Sequence, residues 1–391
     1  MKFAGRVSRI SVSQTMAVNE KALQMRAQGV DIVDFGAGEP DFPTPENIKQ
    51  AGIRAIESNF TRYTSIGGTP DLRKAIVEHH AQIFGSKFDV AECLVNAGGK
   101  HAIFNTTSAV VDNGDDVVIP TPYWVSFADI ARYAGGRTVF AETREAEGFR
   151  LTAAVVEKAL TAKTRLLIAN SPNNPSGAVI ADEEFVRIAA LCRERGIVLL
   201  SDECYSRFLY DGLKPFSLGA FSEFRDTVVI AGSLSKTYAM TGWRIGYVLG
   251  PKDLIAAVQK IQSHSTSNPT SISQKAAFEA LTGPQDSVAM MLGEYARRRD
   301  FVAERLNAVP GVRCTRPGGA FYAYPNIASA FSRGIKDSLD FSVRLLEESH
   351  VAVVPGSAFG TSEHIRISYA TSMQQLERGL RRIAEFMGRL R

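Results

Sequence analysis

Between residues 116 and 249 the chain alternates short β-branched or aliphatic runs with stretches of helical periodicity; the runs fall at 116–120, 165–169, 197–200, 227–231 and 245–249. Runs of that length, apolar on both faces and joined by helix-length connections, predict a parallel sheet covered by helices. In one connection, residues 184–195, Phe185, Ile188, Ala189 and Cys192 recur at helical spacing among charged residues, and Gly196 supplies the stop. Ligands of such sheets collect at the carboxyl ends of the strands. Three polar clusters, 170–177, 201–205 and 233–236, follow strands directly and so converge on that edge.

The chain has 391 residues, 45% of them hydrophobic, which is enough to bury a large core in roughly two domains. Residues 286–309 read as one long helix carrying Met290, Tyr295, Phe301 and Leu306, leading to a C-terminal unit. That unit holds the Gly318-Gly319-Ala320-Phe321-Tyr322 run, a helix near 341–350 and strands at 351–354 and 365–368. The expected class is therefore α/β: a large domain, 46–285, with a mixed, mostly parallel sheet, and a smaller α+β domain, 286–391. Residues 1–45 are too short to fold alone and are expected to pack on the small domain or reach a partner subunit.

Charge and cysteine content exclude several classes. A formal charge of +4, from 45 basic and 41 acidic residues, does not define a nucleic-acid or membrane surface. The Arg297-Arg298-Arg299 run reads as a solvated helix face. Cys93, Cys192, Cys204 and Cys314 show no C-x-x-C or histidine spacing, so no metal site or disulfide framework is expected, only buried reduced thiols. No eighteen apolar residues run together and no signal-like start is present, which predicts a cytoplasmic protein.

The segment Ser233-Leu234-Ser235-Lys236, followed by Thr241-Gly242-Trp243-Arg244, carries the most specific chemistry. A desolvated lysine amine near another cation is nucleophilic toward carbonyls, and two serines with an arginine suit a phosphate dianion. Together they suggest pyridoxal phosphate held on Lys236 as an imine. Read alone, the same lysine fits a solvated polar turn.

Two glycine patterns mislead. Gly36-Ala37-Gly38 begins like a dinucleotide fingerprint but runs into Glu39-Pro40 instead of opening a helix. Gly98-Gly99-Lys100 lacks the earlier Walker glycine, with Leu94 in its place, and the following hydroxyl, with His101 there. As a glycine pair before the helical pattern 101–111, it suits either a phosphate at a helix N-terminus or a tight turn.

Over nearly its whole length the chain resembles the fold-type I, class I aminotransferases, especially their bacterial aspartate aminotransferase subgroup. The likeness rests on Ala37-Gly38-Glu39-Pro40-Asp41-Phe42, Tyr63-Thr64, Gly98-Gly99-Lys100, Pro122-Tyr123-Trp124, Asn170 through Gly177, Ser201-Asp202-Glu203-Cys204-Tyr205, the Lys236 segment and Arg366-Ile367-Ser368-Tyr369. It implies pyridoxal 5′-phosphate as cofactor, amino-acid and 2-oxo-acid substrates, and a homodimer with shared active sites. Nucleic acid and membrane are not implied partners.

By that resemblance Lys236 forms the imine and moves the proton, and Asp202 pairs with the pyridine nitrogen. Asn174 and Tyr205 hydrogen-bond the phenolic oxygen, and Trp124 stacks on the ring. Ser233, Ser235 and Arg244 hold the phosphate with the amides of Gly99 and Lys100, and Tyr63 reaches the phosphate in the neighbouring subunit. Arg366 clamps the substrate α-carboxylate, assisted by the main chain at Gly38. Lys100 stands where the subgroup reads the distal carboxylate, with Ser13 and Thr15 of the partner matching its accessory hydroxyls.

Ser176, Cys204 and His101 depart from the commonest pattern without removing a catalytic group. The implied reaction is transamination between aspartate and 2-oxoglutarate. The alternatives are prephenate, aromatic or aliphatic substrates on the same site, β-elimination, and a non-catalytic regulator sensing the cofactor. A regulator of that kind carries an added DNA-binding module, and no extension of that size precedes the match.

Overall fold

The computed structural model describes residues 1–11 and 14–390, without the side chains of 14–17 and 19. In chain order the strands are β1 (Val33–Asp34), β2 (Cys93–Asn96), β3 (Asp116–Thr121), β4 (Arg137–Glu142), β5 (Thr164–Asn170), β6 (Val198–Asp202), β7 (Val228–Ser233), β8 (Gly246–Leu249), β9 (Tyr322–Ala323), β10 (Val351–Ala352), β11 (Val354–Pro355) and β12 (Ile365–Ser368). Strands β2 to β8 form one seven-stranded sheet in the order β2-β8-β7-β6-β5-β3-β4. Its centre is apolar on both faces: Leu166, Leu167, Ile168, Leu199 and Leu200 have no exposed surface. Burying each such side chain contributes about 1.5–3 kcal/mol, so helices must cover both sides. The helix Asp182–Glu194 does so with Phe185, Ile188, Ala189 and Cys192, the face expected from its periodicity.

Most neighbours in this sheet are parallel, but β8 runs antiparallel to both β7 and β2. The physical reason lies in the connection. Returning to a parallel start takes a crossover of a dozen or more residues, usually a full helix. Between β7 and β8 the connection only reaches that minimum, and its helix, Leu234–Thr237, has four residues, too few to run back along the six-residue β7. It therefore folds straight back, keeping the lysine segment at the sheet edge.

The C-terminal part begins with the helix Asp286–Asn307 and contains an antiparallel sheet ordered β11-β12-β9. Strand β1 pairs in parallel with β10, so the N-terminal segment enters this part before the chain crosses to the large sheet. A shared core of Phe35, Tyr295, Phe321, Tyr322, Phe341, Ile365 and Phe386 binds these pieces together.

Two expectations fail here. Arg298 and Arg299 are not a solvated face: they are only 5% and 2% exposed, and only Arg297 lies outside. Buried guanidinium groups need anionic partners. Arg298 has Asp41 and Glu294, and Arg299 has Asp211 and Asp300. Among the thiols, all free, Cys204 is only half-buried, because it borders a cavity, whereas Cys93, Cys192 and Cys314 are buried. No helix among the described residues is long and apolar enough to cross a membrane.

Candidate active site

Strands β5, β6 and β7 are adjacent and parallel, and their carboxyl ends deliver Asn170, Asp202 and Ser233 side by side. Each sits where the ladder ends and the side chain meets open space, at the mouth of a cavity of about 400 Å³. Ser233 caps the following helical turn, its Oγ accepting from the amide of Ser235 at 3.1 Å. That turn carries Lys236 into the cavity, where its Nζ donates to the carbonyl of Gly38. Burial lowers the lysine pKa; Cys204 and Glu39 oppose the shift, and the charges of Arg366 and Arg244 add to it. An amine so placed loses its proton more readily than a solvated lysine and is correspondingly nucleophilic.

Asp202 is 6% exposed, and among the described residues the one hydrogen bond to its carboxylate comes from the amide of Cys204, at 3.0 Å. Burial pushes its pKa up to about 7, although that hydrogen bond and Lys236 pull it down. A buried acid with so little compensation is a ready seat for a cationic ring nitrogen. Beside it, Tyr205 shares a hydrogen bond of 2.8 Å with Tyr322, and burial holds its phenol well above the ordinary range. It therefore stays protonated and able to donate.

The opposite end of the cavity is built for an anion. Gly98 adopts φ +92° before the helix Gly99–Val110, and a side chain there would collide with the guanidinium of Arg244. The amides of His101 and Ala102 turn back to Gly98 O, which leaves those of Gly99 and Lys100 as the open donors of the helix start. Arg244 itself is held at φ +57°, with Nη1 on the carbonyl of Thr241 at 2.8 Å. Ser233 and Ser235 complete this polar end.

Two further cations border the same cavity. Arg366, on β12, donates from Nη1 to Asn174 Oδ1 at 3.0 Å and from Nη2 to Gly36 O at 2.8 Å, and its guanidinium lies 4.5 Å from the Tyr322 ring centre. Its Nε is buried without a partner among the described residues. Lys100 Nζ lies 5.0 Å from the Trp124 ring centre; burial and the charge of Arg244 lower its pKa, and it makes no ion pair with a carboxylate among the described residues.

The cavity thus gathers Lys236, Asp202, Tyr205, Asn174, Trp124 and Arg366, together with Ser233, Ser235, Arg244, Gly99, Lys100 and Gly38. Tyr63 is not among them; it is 91% exposed in this single chain. Ser13 and the side chain of Thr15 lie outside the described residues. Sequence reasoning gave no role to Tyr322, Thr241, Asn170, Gly36 or Phe359, all of which line the site. Asn170 carried a signal, since it directly follows a predicted strand and opens a polar cluster. Tyr322 carried none, because it enters from a separate sheet through β9.

A reactive amine, a buried acid, an aromatic wall and a nest of amides, hydroxyls and one arginine fit the aldehyde, ring nitrogen, ring face and phosphate of pyridoxal phosphate. The comparisons agree. A family model described as aminotransferase class I and II matches residues 30–383. The aspartate aminotransferase of Geobacillus stearothermophilus is 42% identical over 389 residues, covering 99% of both chains. The aspartate/prephenate aminotransferase of Nitrosomonas europaea is 42% identical over 396 residues, covering 99% of this chain and 100% of its own. The crystal structure of the aspartate aminotransferase from Rhizobium meliloti has a TM-score of 0.95 at 41% identity, over 100% of both chains. The chain belongs to the class I and II aminotransferases, a family of pyridoxal-phosphate enzymes.

Proposed function

We propose that the protein transfers the amino group of L-aspartate to 2-oxoglutarate in a ping-pong cycle, giving oxaloacetate and L-glutamate. The observation that carries this reading is the pair of fixed cations, Arg366 and Lys100, on the wall of the cavity that holds Lys236. A substrate with two carboxylates matches both, and the names of the relatives agree with it.

The cofactor supplies an aldehyde that carries the amino group and a ring that accepts electron density. In our reading Asp202, Tyr205, Asn174 and Trp124 hold the ring, and Ser233, Ser235, Arg244 and the Gly99 and Lys100 amides hold the phosphate. Lys236 would be the attachment point, and its amine would take the proton from the substrate α-carbon and give it to the carbon of the former aldehyde, two atoms along. Arg366 grips the α-carboxylate through its two-pronged guanidinium, with the orphaned Nε gaining an acceptor. Lys100, which is exposed and makes no ion pair with a carboxylate among the described residues, gains one in the distal group of the substrate.

We further infer a cytoplasmic homodimer in which the exposed Tyr63 reaches the phosphate end of the partner's site, with Ser13 and Thr15 beside the distal carboxylate. Four free thiols suit a reducing compartment. In this reading residues 46–285 form the cofactor-holding domain, and 286–391 with 1–45 bring Arg366 to it.

A second reading, an added activity on prephenate, is favoured by a larger cavity of about 830 Å³ that adjoins the first through Lys100, Trp124 and Arg244 and includes His101. Initial rates of oxaloacetate formation from aspartate and 2-oxoglutarate test the main reading. Parallel double-reciprocal lines are expected. Amino transfer from glutamate to prephenate with no oxaloacetate from aspartate would favour the second reading in its place.

A further inference from the structure

Between β1 and the helix Glu46–Glu57 the chain crosses the cavity as a strap, residues 36–44. Its carbonyls contact both reactive cations: Gly36 O accepts from Arg366 at 2.8 Å, and Gly38 O accepts from Lys236. The strap is pinned at three further points. Glu39 accepts from Thr241 Oγ1 at 2.7 Å, and Thr44 Oγ1 donates to the carbonyl of Ala239 at 2.6 Å. The third point is Asp41, whose carboxylate accepts from Nη1 of Arg298 at 2.7 Å.

Arg298 differs from the other two anchors. Thr241 and Thr44 tie the strap to the lysine segment, whereas Arg298 sits on the helix Asp286–Asn307 and is 5% exposed. Its guanidinium also binds Glu294 at 2.8 Å through Nε and reaches the carbonyl of Tyr369, three residues beyond Arg366, at 3.5 Å. It lies 5.3 Å from the Phe42 ring centre, and Phe42 in turn packs edge-on against Tyr295. One buried guanidinium thereby joins the strap, the long helix and the end of the strand that carries Arg366.

We propose that Arg298 and Asp41 form a positioning clasp: by fixing the strap, they set where the Gly36 and Gly38 carbonyls meet Arg366 and Lys236, and so set the affinity of the site for a substrate carboxylate. Neither residue lines the cavity. The clasp acts through Arg366, whose fork is already oriented by Gly36 O and Asn174 Oδ1 before a carboxylate arrives. Pre-orientation removes an ordering cost from each binding event, and it serves the bound substrate and the transition state alike. Loss of the clasp therefore raises KM and leaves kcat nearly unchanged.

The inference rests on Arg366 as the carboxylate anchor, so Arg366→Lys is measured alongside. Asp41→Asn keeps the shape of the side chain and removes its charge. It is expected to raise KM for aspartate and for 2-oxoglutarate by about tenfold, with kcat within about threefold of the parent. The Kd of succinate, an unreactive dicarboxylate read by the change in cofactor absorption, rises in parallel, and Asp41→Glu recovers part of the loss. Should Asp41→Asn fail to fold, Arg298→Lys, which keeps the charge and loses the fork, is read on the same succinate titration with the same expectation. An unchanged succinate Kd in the folded variant overturns the clasp, whatever its melting temperature. If Arg366→Lys also leaves that Kd unchanged, the reading of Arg366 has failed; if Arg366→Lys raises it and Asp41→Asn does not, the clasp alone has failed.

Discussion

Arg366 and Asn174, 192 residues apart, meet at 3.0 Å, and this contact joins the strand β12 to the loop that follows β5. With Gly36 O on the other prong, the guanidinium is fixed while its Nε has no acceptor among the described residues. Arg366→Lys keeps the charge and loses the fork. It is expected to raise KM on the order of a hundredfold for every amino acid tested, because the α-carboxylate is common to all. A rise confined to dicarboxylates would place Arg366 at the distal group.

On the proposed reading, Lys236→Ala removes the attachment point and the proton carrier together. The visible absorption of the lysine-bound cofactor should vanish, and turnover should fall by about four orders of magnitude or more. Far-ultraviolet circular dichroism should remain that of the parent, since among the described residues the lysine side chain makes one hydrogen bond, to Gly38. Retained absorption would assign the attachment to another lysine.

Asp202 predicts an unusual pH dependence for the cofactor-free protein. Its folded pKa, pushed up to about 7 by burial, lies above the unfolded value, so the folded state binds the extra proton between about pH 4 and 7. The stability this contributes is full below the unfolded pKa and is lost as pH rises through 7. Melting temperature without cofactor should therefore fall across that window in the parent and fall less in Asp202→Asn. The same substitution should weaken cofactor binding, because an amide cannot stabilise a ring cation. Equal slopes for the two proteins would show that Asp202 is ionised at no cost.

Much of this site was legible because strand ends mark ligand edges: Asp202 and Ser233 follow apolar runs, and Lys236 sits one turn beyond. Other parts were not legible, each for a physical reason. Strand β4 is an edge strand with exposed residues, so it did not stand out as an apolar run. The direction of β8 depends on what its connection can span, not on its composition. Helical spacing showed that Arg297, Arg298 and Arg299 share a helix; it could not show that Asp41 and Asp211, far away in sequence, neutralise two of them. Tyr322 joins the site only because two sheets meet there. Arg366 and Lys100 were assigned through family resemblance, since no local pattern marks an arginine or a lysine as a carboxylate reader.

The central claim is that Lys100 makes this a dicarboxylate enzyme, and single-turnover half-reactions test it most directly. The parent and Lys100→Ala are each mixed with aspartate, glutamate, alanine and phenylalanine while the loss of visible cofactor absorption is followed. Charge pairing with the exposed Lys100 at the cavity wall predicts parent rates per unit concentration at least about tenfold higher for aspartate and glutamate than for the neutral pair, a gap that Lys100→Ala closes by slowing the acidic substrates alone. Equal rates for all four amino acids in the parent, or an unchanged preference in Lys100→Ala, would contradict it.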